Sequence, residues 1–122
     1  MTQLSQNCLD QPTCGVAKTI KIIGAKWTML ILRDLMDGPC RFGQLERSLE
    51  GISPKTLSVR LQQLERDGLV ERRVFAEVPL HVEYSLTVKG RSLQRIICAM
   101  REWGESSQSA ALEAVERLQV PA

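Results

Sequence analysis

Histidine occurs once in the chain, as His81, and aromatic side chains are scarce: two tryptophans, two phenylalanines and one tyrosine among 122 residues. Glycine-rich phosphate loops are absent, and no pair of acids falls in an expected cleft, so no enzyme is expected. No apolar run approaches the roughly 20 residues that cross a bilayer. The N-terminus lacks the basic, apolar and small-residue succession of an export signal, so a cytoplasmic protein is expected. The four cysteines, Cys8, Cys14, Cys40 and Cys98, contain no Cys-x-x-Cys pair. With a single histidine to help, a zinc site would have to gather ligands from distant segments. A secreted disulfide framework fits no better, because the chain is long enough to build a core without one. Neither a metal nor a cofactor is expected.

Charge of one sign is also in short supply. The net charge is only +2, which by itself gives little attraction for a polyanion, so its distribution matters more. Between Ser53 and Arg60 stand Lys55 and Arg60 with no acid. Between Lys89 and Arg101 stand Lys89, Arg91, Arg95 and Arg101, again with no acid. A charge run of this kind is also what any solvated helix face displays.

Apolar and charged residues make up 43% and 25% of the chain, as in an ordinary soluble domain. Residues 1–12 are polar and without periodicity, and read as a flexible N-terminal arm. Thr13 is placed to cap a helix running to about Ile23, with Val16, Ile20 and Ile23 on one side. Trp27, Leu30, Ile31 and Leu35 mark a core helix from about Lys26 to Met36, stopped by Asp37-Gly38-Pro39. Phe42, Leu45 and Leu49 mark a short third helix, and Glu50-Gly51-Ile52 makes a tight connection. Ser53 followed by Pro54 then announces a helix start, because serine caps well and proline loses nothing at the first helical position. Leu57, Leu61 and Leu64 form that helix's buried stripe, and Gly68 stands where a left-handed cap belongs.

The period then changes from helical to alternating. Leu69–Val74 and His81–Leu86 read as two strands of a hairpin, with Pro79 in the link. Thr87 can cap one last long helix to about Trp103, with Leu93, Ile96, Ile97, Met100 and Trp103 as its stripe and Cys98 expected in the core. Ala111, Leu112, Val115 and Leu118 define a further amphipathic segment. The expected fold is mainly α with a small β-hairpin wing, a winged helix-turn-helix. Its expected divisions are an arm over 1–12, the winged domain over 13–104 and a C-terminal dimerisation helix over 105–122.

In such a motif the second helix enters the major groove of DNA. With Leu57, Leu61 and Leu64 inward, about 100° per residue puts Lys55, Val59, Gln62 and Arg66 on the opposite face. Thr56, Ser58, Arg60 and Gln63 flank them. Base-reading side chains come from the N-terminal part of the helix, which nominates Lys55, Thr56, Ser58, Val59 and Gln62. A glutamine can pair with adenine through two hydrogen bonds, and a valine can meet a thymine methyl. Arg60 suits a phosphate, as do the amides at the Ser53 cap. In the wing, Arg72 and Arg73 are outnumbered by Glu71, Glu77 and Glu83, but its tip, Val78 to His81, is placed to reach a minor groove. The competing reading is a winged helix that binds only other proteins.

Five runs resemble one family in their order and wording: Ile23-Gly24-Ala25-Lys26-Trp27-Thr28-Met29-Leu30-Ile31-Leu32-Arg33-Asp34-Leu35, Arg41-Phe42-Gly43-Gln44-Leu45, Gly51-Ile52-Ser53-Pro54-Lys55-Thr56-Leu57-Ser58, Leu64-Glu65-Arg66-Asp67-Gly68-Leu69-Val70 and Val82-Glu83-Tyr84-Ser85-Leu86-Thr87. They resemble HxlR-type regulators, which are MarR-like winged helices, over about Cys14 to Gly104. The resemblance implies a bacterial homodimer on an inverted-repeat operator, held together by its N- and C-terminal helices. The full set of expected DNA-contacting residues is Ser53, Lys55, Thr56, Ser58, Val59, Arg60 and Gln62, with Arg41, Arg72 and His81. The resemblance also implies that Cys14 senses electrophiles or oxidants, although Gly15 stands where the family usually has proline. As the first residue of a helix, with Lys18 one turn on, Cys14 would have a favoured thiolate. Oxidation would pair it with Cys8, Cys40 or Cys98 of either subunit.

Overall fold

The computed structural model describes residues 14–106. The expected arm, Thr13, Cys8 and the segment from Ala111 to Leu118 lie outside the described residues. The chain divides into two compact units, residues 1–91 and 92–122.

The first unit begins with α1, Gly15–Ile23. Cys14 is its N-cap rather than its first helical residue. Its backbone is extended, with φ −64° and ψ 135°, so the helix starts one residue later than the sequence suggests. Helix α2, Thr28–Leu35, buries Thr28, Ile31, Leu32 and Leu35 on one side, following the spacing of three and four that placed it in the core. After the Gly38 turn come a two-residue strand β1, Cys40–Arg41, and helix α3, Phe42–Ser48. At the start of α3 the Arg41 N–H donates to Oε1 of Gln44 at 2.7 Å. A guanidinium has no acceptor, so only this half of a capping box forms.

Helix α4, Pro54–Arg66, follows a turn closed by the Ile52 N–H donating to the Leu49 carbonyl at 3.0 Å. Gly51 takes φ +93° there, a conformation that a side chain would strain. At its far end α4 stops in a Schellman motif. The Leu69 N–H donates to the Leu64 carbonyl and the Gly68 N–H to the Glu65 carbonyl, each at 3.0 Å, with Gly68 at φ +75°. Leu64 and Leu69, whose contact usually accompanies this motif, are both buried. The Lys89 ammonium also donates to the Asp67 carbonyl at 2.9 Å.

Strands β2, Val70–Phe75, and β3, His81–Leu86, form the expected hairpin. The sheet has three strands, however, in the order β1-β3-β2 and antiparallel throughout. Two residues are too few to show alternation, which hid β1 from the sequence reading. The Val78–Pro79 bond in the link is cis. The core under the sheet is aliphatic: Ile31, Leu32, Leu35, Leu45, Leu57, Leu61 and Leu64 are fully buried.

The single long helix expected after Thr87 is two. Thr87 caps the first as anticipated, its Oγ1 accepting from the Gly90 N–H at 3.0 Å, but α5 covers only Val88–Arg91. Gly90 lies so close to the Leu69 carbonyl that any Cβ there would overlap it. A glycine and a serine, Gly90 and Ser92, within one turn then favour a break. In the second unit, α6 covers Gln94–Glu105. Ile97 is buried, but Ile96, Met100 and Trp103 are exposed. Cys98 is exposed too, not in the core. It stands about 100° around the helix from Ile97, on the polar side.

Candidate nucleic-acid interface

Helices α3 and α4 with the intervening turn make the helix-turn-helix. The orientation of α4 is fixed by its leucine stripe, with Leu57, Leu61 and Leu64 all inside. Lys55, Val59, Gln62, Gln63 and Arg66 are exposed, and Thr56, Ser58 and Arg60 are half-buried on the flanks. The rotation inferred from spacing is the rotation observed.

The N-terminal turn of α4 is locked. Ser53 Oγ accepts from the Thr56 N–H at 3.1 Å and donates to Thr56 Oγ1 at 2.9 Å. Thr56 is therefore part of the cap as well as of the face. Pro54 has no N–H, and the Lys55 amide lies outside the intrahelical ladder. With no acid in the first turn of α4, the Lys55 amide and ammonium make a local positive end suited to a phosphate. Arg60 differs from expectation in one respect: its Nε is fully covered and has no hydrogen-bond partner among the described residues. A sequence pattern does not reveal this burial.

The remaining predicted contacts are spread over the sheet. Register places Arg41 and Arg73 on either side of Glu83, and Cys40 and Arg72 on either side of Tyr84. Successive residues point to opposite faces of a sheet. Arg41 and His81 therefore share one face, and Arg72 stands on the other. Part of the wing's polar surface is internally matched. Arg73 Nε donates to Glu71 at 3.0 Å, and His81 Nε2 lies 3.2 Å from Glu83 Oε2. The His81 ring stacks on Phe75 with centroids 4.7 Å apart, and its side chain is only 15% exposed. The structure thus unites the seven predicted residues of positions 53–62 on α4 and its cap, and puts Arg41 and His81 on one face of the sheet with Arg72 on the other.

Cys14 is buried and disulfide-bonded. Cys40 and Cys98 carry free thiols. Cys40 sits beside a cavity of about 310 Å³ lined by Asp34, Asp37, Gln44, Leu45 and Ser48. Burial, then the Asp34 and Asp37 carboxylates, push its thiol above the ordinary value, the direction in which reactivity falls.

A recognition helix capped at both ends, a three-stranded wing and a polar outward face define a winged helix-turn-helix regulator. Residues 22–111 match the HxlR-like helix-turn-helix family, and the chain belongs to it. It is 44% identical over 96 residues to the HTH-type transcriptional regulator YdeP of Bacillus subtilis, covering 79% of this chain and 75% of that one. YybR of the same organism is 42% identical over 95 residues, covering 78% and 76%. Among solved structures, the redox regulator HypR in its oxidized form is 42% identical, with a TM-score of 0.74 over 77% of this chain and 97% of that one. A MarR-family regulator from Porphyromonas gingivalis W83 is 34% identical, with a TM-score of 0.77 over 87% and 99%. The protein is an HxlR-type transcriptional regulator. Among the described residues no helix is long and apolar enough to cross a membrane.

Proposed function

We propose that the protein works in the cytoplasm as a homodimer on an inverted-repeat operator, each subunit laying the N-terminal half of α4 in a major groove. The observation that supports this best is the α4 face itself. Lys55, Val59 and Gln62 stand exposed in a row on a helix whose opposite side is entirely core. In this reading Gln62 reads adenine and Val59 touches a thymine methyl. Lys55, Arg60 and the cap at Ser53 hold phosphates, with Thr56 and Ser58 on the flanks. Support for a dimer comes from α6, where Arg95, Ile96, Ala99, Met100 and Trp103 line an open apolar hollow of about 500 Å³. Residues 105–122 would complete that dimer surface.

The same reading makes Cys14 the point where a signal enters. Its disulfide and the likeness to a protein named as a redox regulator support that role. Two thiols give up two electrons and two protons to an oxidant such as diamide or a quinone, and the bond formed ties down the start of α1. Cys8, one of the possible partners, lies outside the described residues.

Gel shifts against genomic fragments, under reducing and oxidising conditions, test the proposal. Retention of a small, reproducible set of fragments supports an operator-binding protein. Equal affinity for all fragments supports the competing reading, a winged helix that binds proteins. If Cys14→Ser protein responds to diamide as fully as wild type, Cys14 is not the sensor.

A further inference from the structure

No aspartate or glutamate occurs between Asp10 and Asp34, a stretch that holds Lys18, Lys21, Lys26 and Arg33. Of these cations, Lys26 is distinguished by what lies under it. It is exposed, and among the described residues no ion pair engages it. Its Nζ sits 5.1 Å from the centroid of the Trp27 ring instead. An ammonium is attracted to the face of an indole, so the ring restrains a side chain that would otherwise sweep through solvent. Trp27 is half-buried, and its Cη2 lies 4.0 Å from the point a Cβ on Gly51 would occupy. Gly51 belongs to the turn between α3 and α4, just before the Ser53 cap. The Trp27 ring therefore packs against the turn that presents α4, and it holds Lys26 at that turn.

We propose that Lys26 is a further backbone grip of this regulator, its ammonium binding a DNA phosphate next to the one assigned to the Ser53 cap and Lys55. The inference rests on the operator-binding reading. Position, charge and chemistry select this ligand. Lys55 follows the turn along the chain and Lys26 is held to it through Trp27, so both cations stand where α4 would meet the duplex. The first turns of α2 and α4 hold no acid. Glu50, the acid of the turn, forms no ion pair with either lysine among the described residues. An ammonium is a compact point charge with three donors, and stacking on a ring leaves donors for a phosphate oxygen. Such a contact fixes the orientation of the protein on the backbone and adds affinity, but it carries no sequence information. The grip on DNA would thus extend from α4 to the start of α2, an element the leucine stripe of α4 does not point to.

The test titrates the full-length protein on a retained fragment and on unrelated duplex DNA, over a range of salt. Lys26→Gln should bind both about fivefold more weakly near physiological salt and lower the salt slope by about one. Its base preference and thermal midpoint should match wild type, because the side chain is exposed and reads no base. Lys26→Arg should restore affinity and slope, since a guanidinium also stacks on a ring and binds phosphate. Lys21→Gln removes the same charge from α1 and should leave the slope as it is. Ethylating single phosphates should block wild type at one position per half-site that no longer matters to Lys26→Gln. An unchanged slope in Lys26→Gln overturns the contact while operator binding stands. An equal fall in Lys21→Gln also overturns it, because net charge and not a contact would then be the cause. If wild type binds all fragments equally, the operator reading fails, and the slope still decides the Lys26 contact on duplex DNA. If wild type binds no duplex at all, both fail.

Discussion

Helix α4 and the wing meet the same solvent but are built on opposite terms. The helix has a fully buried leucine side, a serine cap, a glycine stop and an uncommitted polar face. The wing's base is buried at Val70 and Leu86, Arg73 is paired with Glu71 within its own strand, and its link exposes Val78 and Leu80. The contrast teaches that the exposed polar groups Lys55 and Gln62 sit on an element anchored by a fully buried stripe and capped at both ends. A polar reader needs fixed geometry, since a hydrogen bond fails with small displacement, whereas an apolar contact tolerates some.

The largest effect should come from breaking the rigidity of α4. Leu61→Ala removes a fully buried side chain and should cost about 2–5 kcal/mol of stability in urea unfolding. Val74→Ala in the half-exposed wing should change the midpoint little. Equal losses would erase the distinction between the two regions. On the outer face, Gln62→Ala should relax preference at one base position by about 1–3 kcal/mol. Lys55→Ala and Arg60→Ala should both weaken binding, and loss of a phosphate contact should lower the salt slope by about one. Ser53→Ala should cost about 1 kcal/mol of stability, with operator affinity falling as the first turn frays. Arg73→Ala should be nearly silent in stability and in salt slope, because its partner is already Glu71 and exposed pairs contribute little. A steep loss would show that the wing holds DNA by charge after all.

The thiols extend the comparison. The raised pKa of Cys40 means that the folded protein keeps this proton to higher pH than the unfolded chain does. The stability linked to it is fully present below the ordinary thiol range and is lost as pH rises through the folded value. At neutral pH, alkylation followed by mass spectrometry should therefore modify exposed Cys98 before Cys40, and the lag of Cys40 should shrink as pH rises. Faster modification of Cys40 would mean that its pocket is open.

Much of this was legible in the residues because single positions had single physical solutions. Ser53-Pro54 is a helix start in almost any context, and Leu57, Leu61 and Leu64 fix one rotation of α4. Gly68 permits the stop. Where a feature depended on distant partners the sequence was silent. Strand β1 is only Cys40–Arg41 and is defined by pairing with β3. The close approach of Gly90 to the Leu69 carbonyl and the covered Nε of Arg60 are likewise set by packing. Cys98 shared an apolar stretch with Ile97 yet faces outward, because neighbours in a helical sequence are not neighbours on its surface. His81 stood in the sequence as part of a wing tip, and its stack on Phe75 and contact with Glu83 depend on the hairpin's pairing.

The central claim is that the outward face of α4 reads base sequence. Its most direct test is a base-by-base affinity scan of a retained operator fragment with wild type and Gln62→Ala. The account predicts that wild type discriminates at several positions per half-site and that the variant loses discrimination at one of them while keeping the others. Identical profiles for the two proteins, with identical affinities, would contradict it.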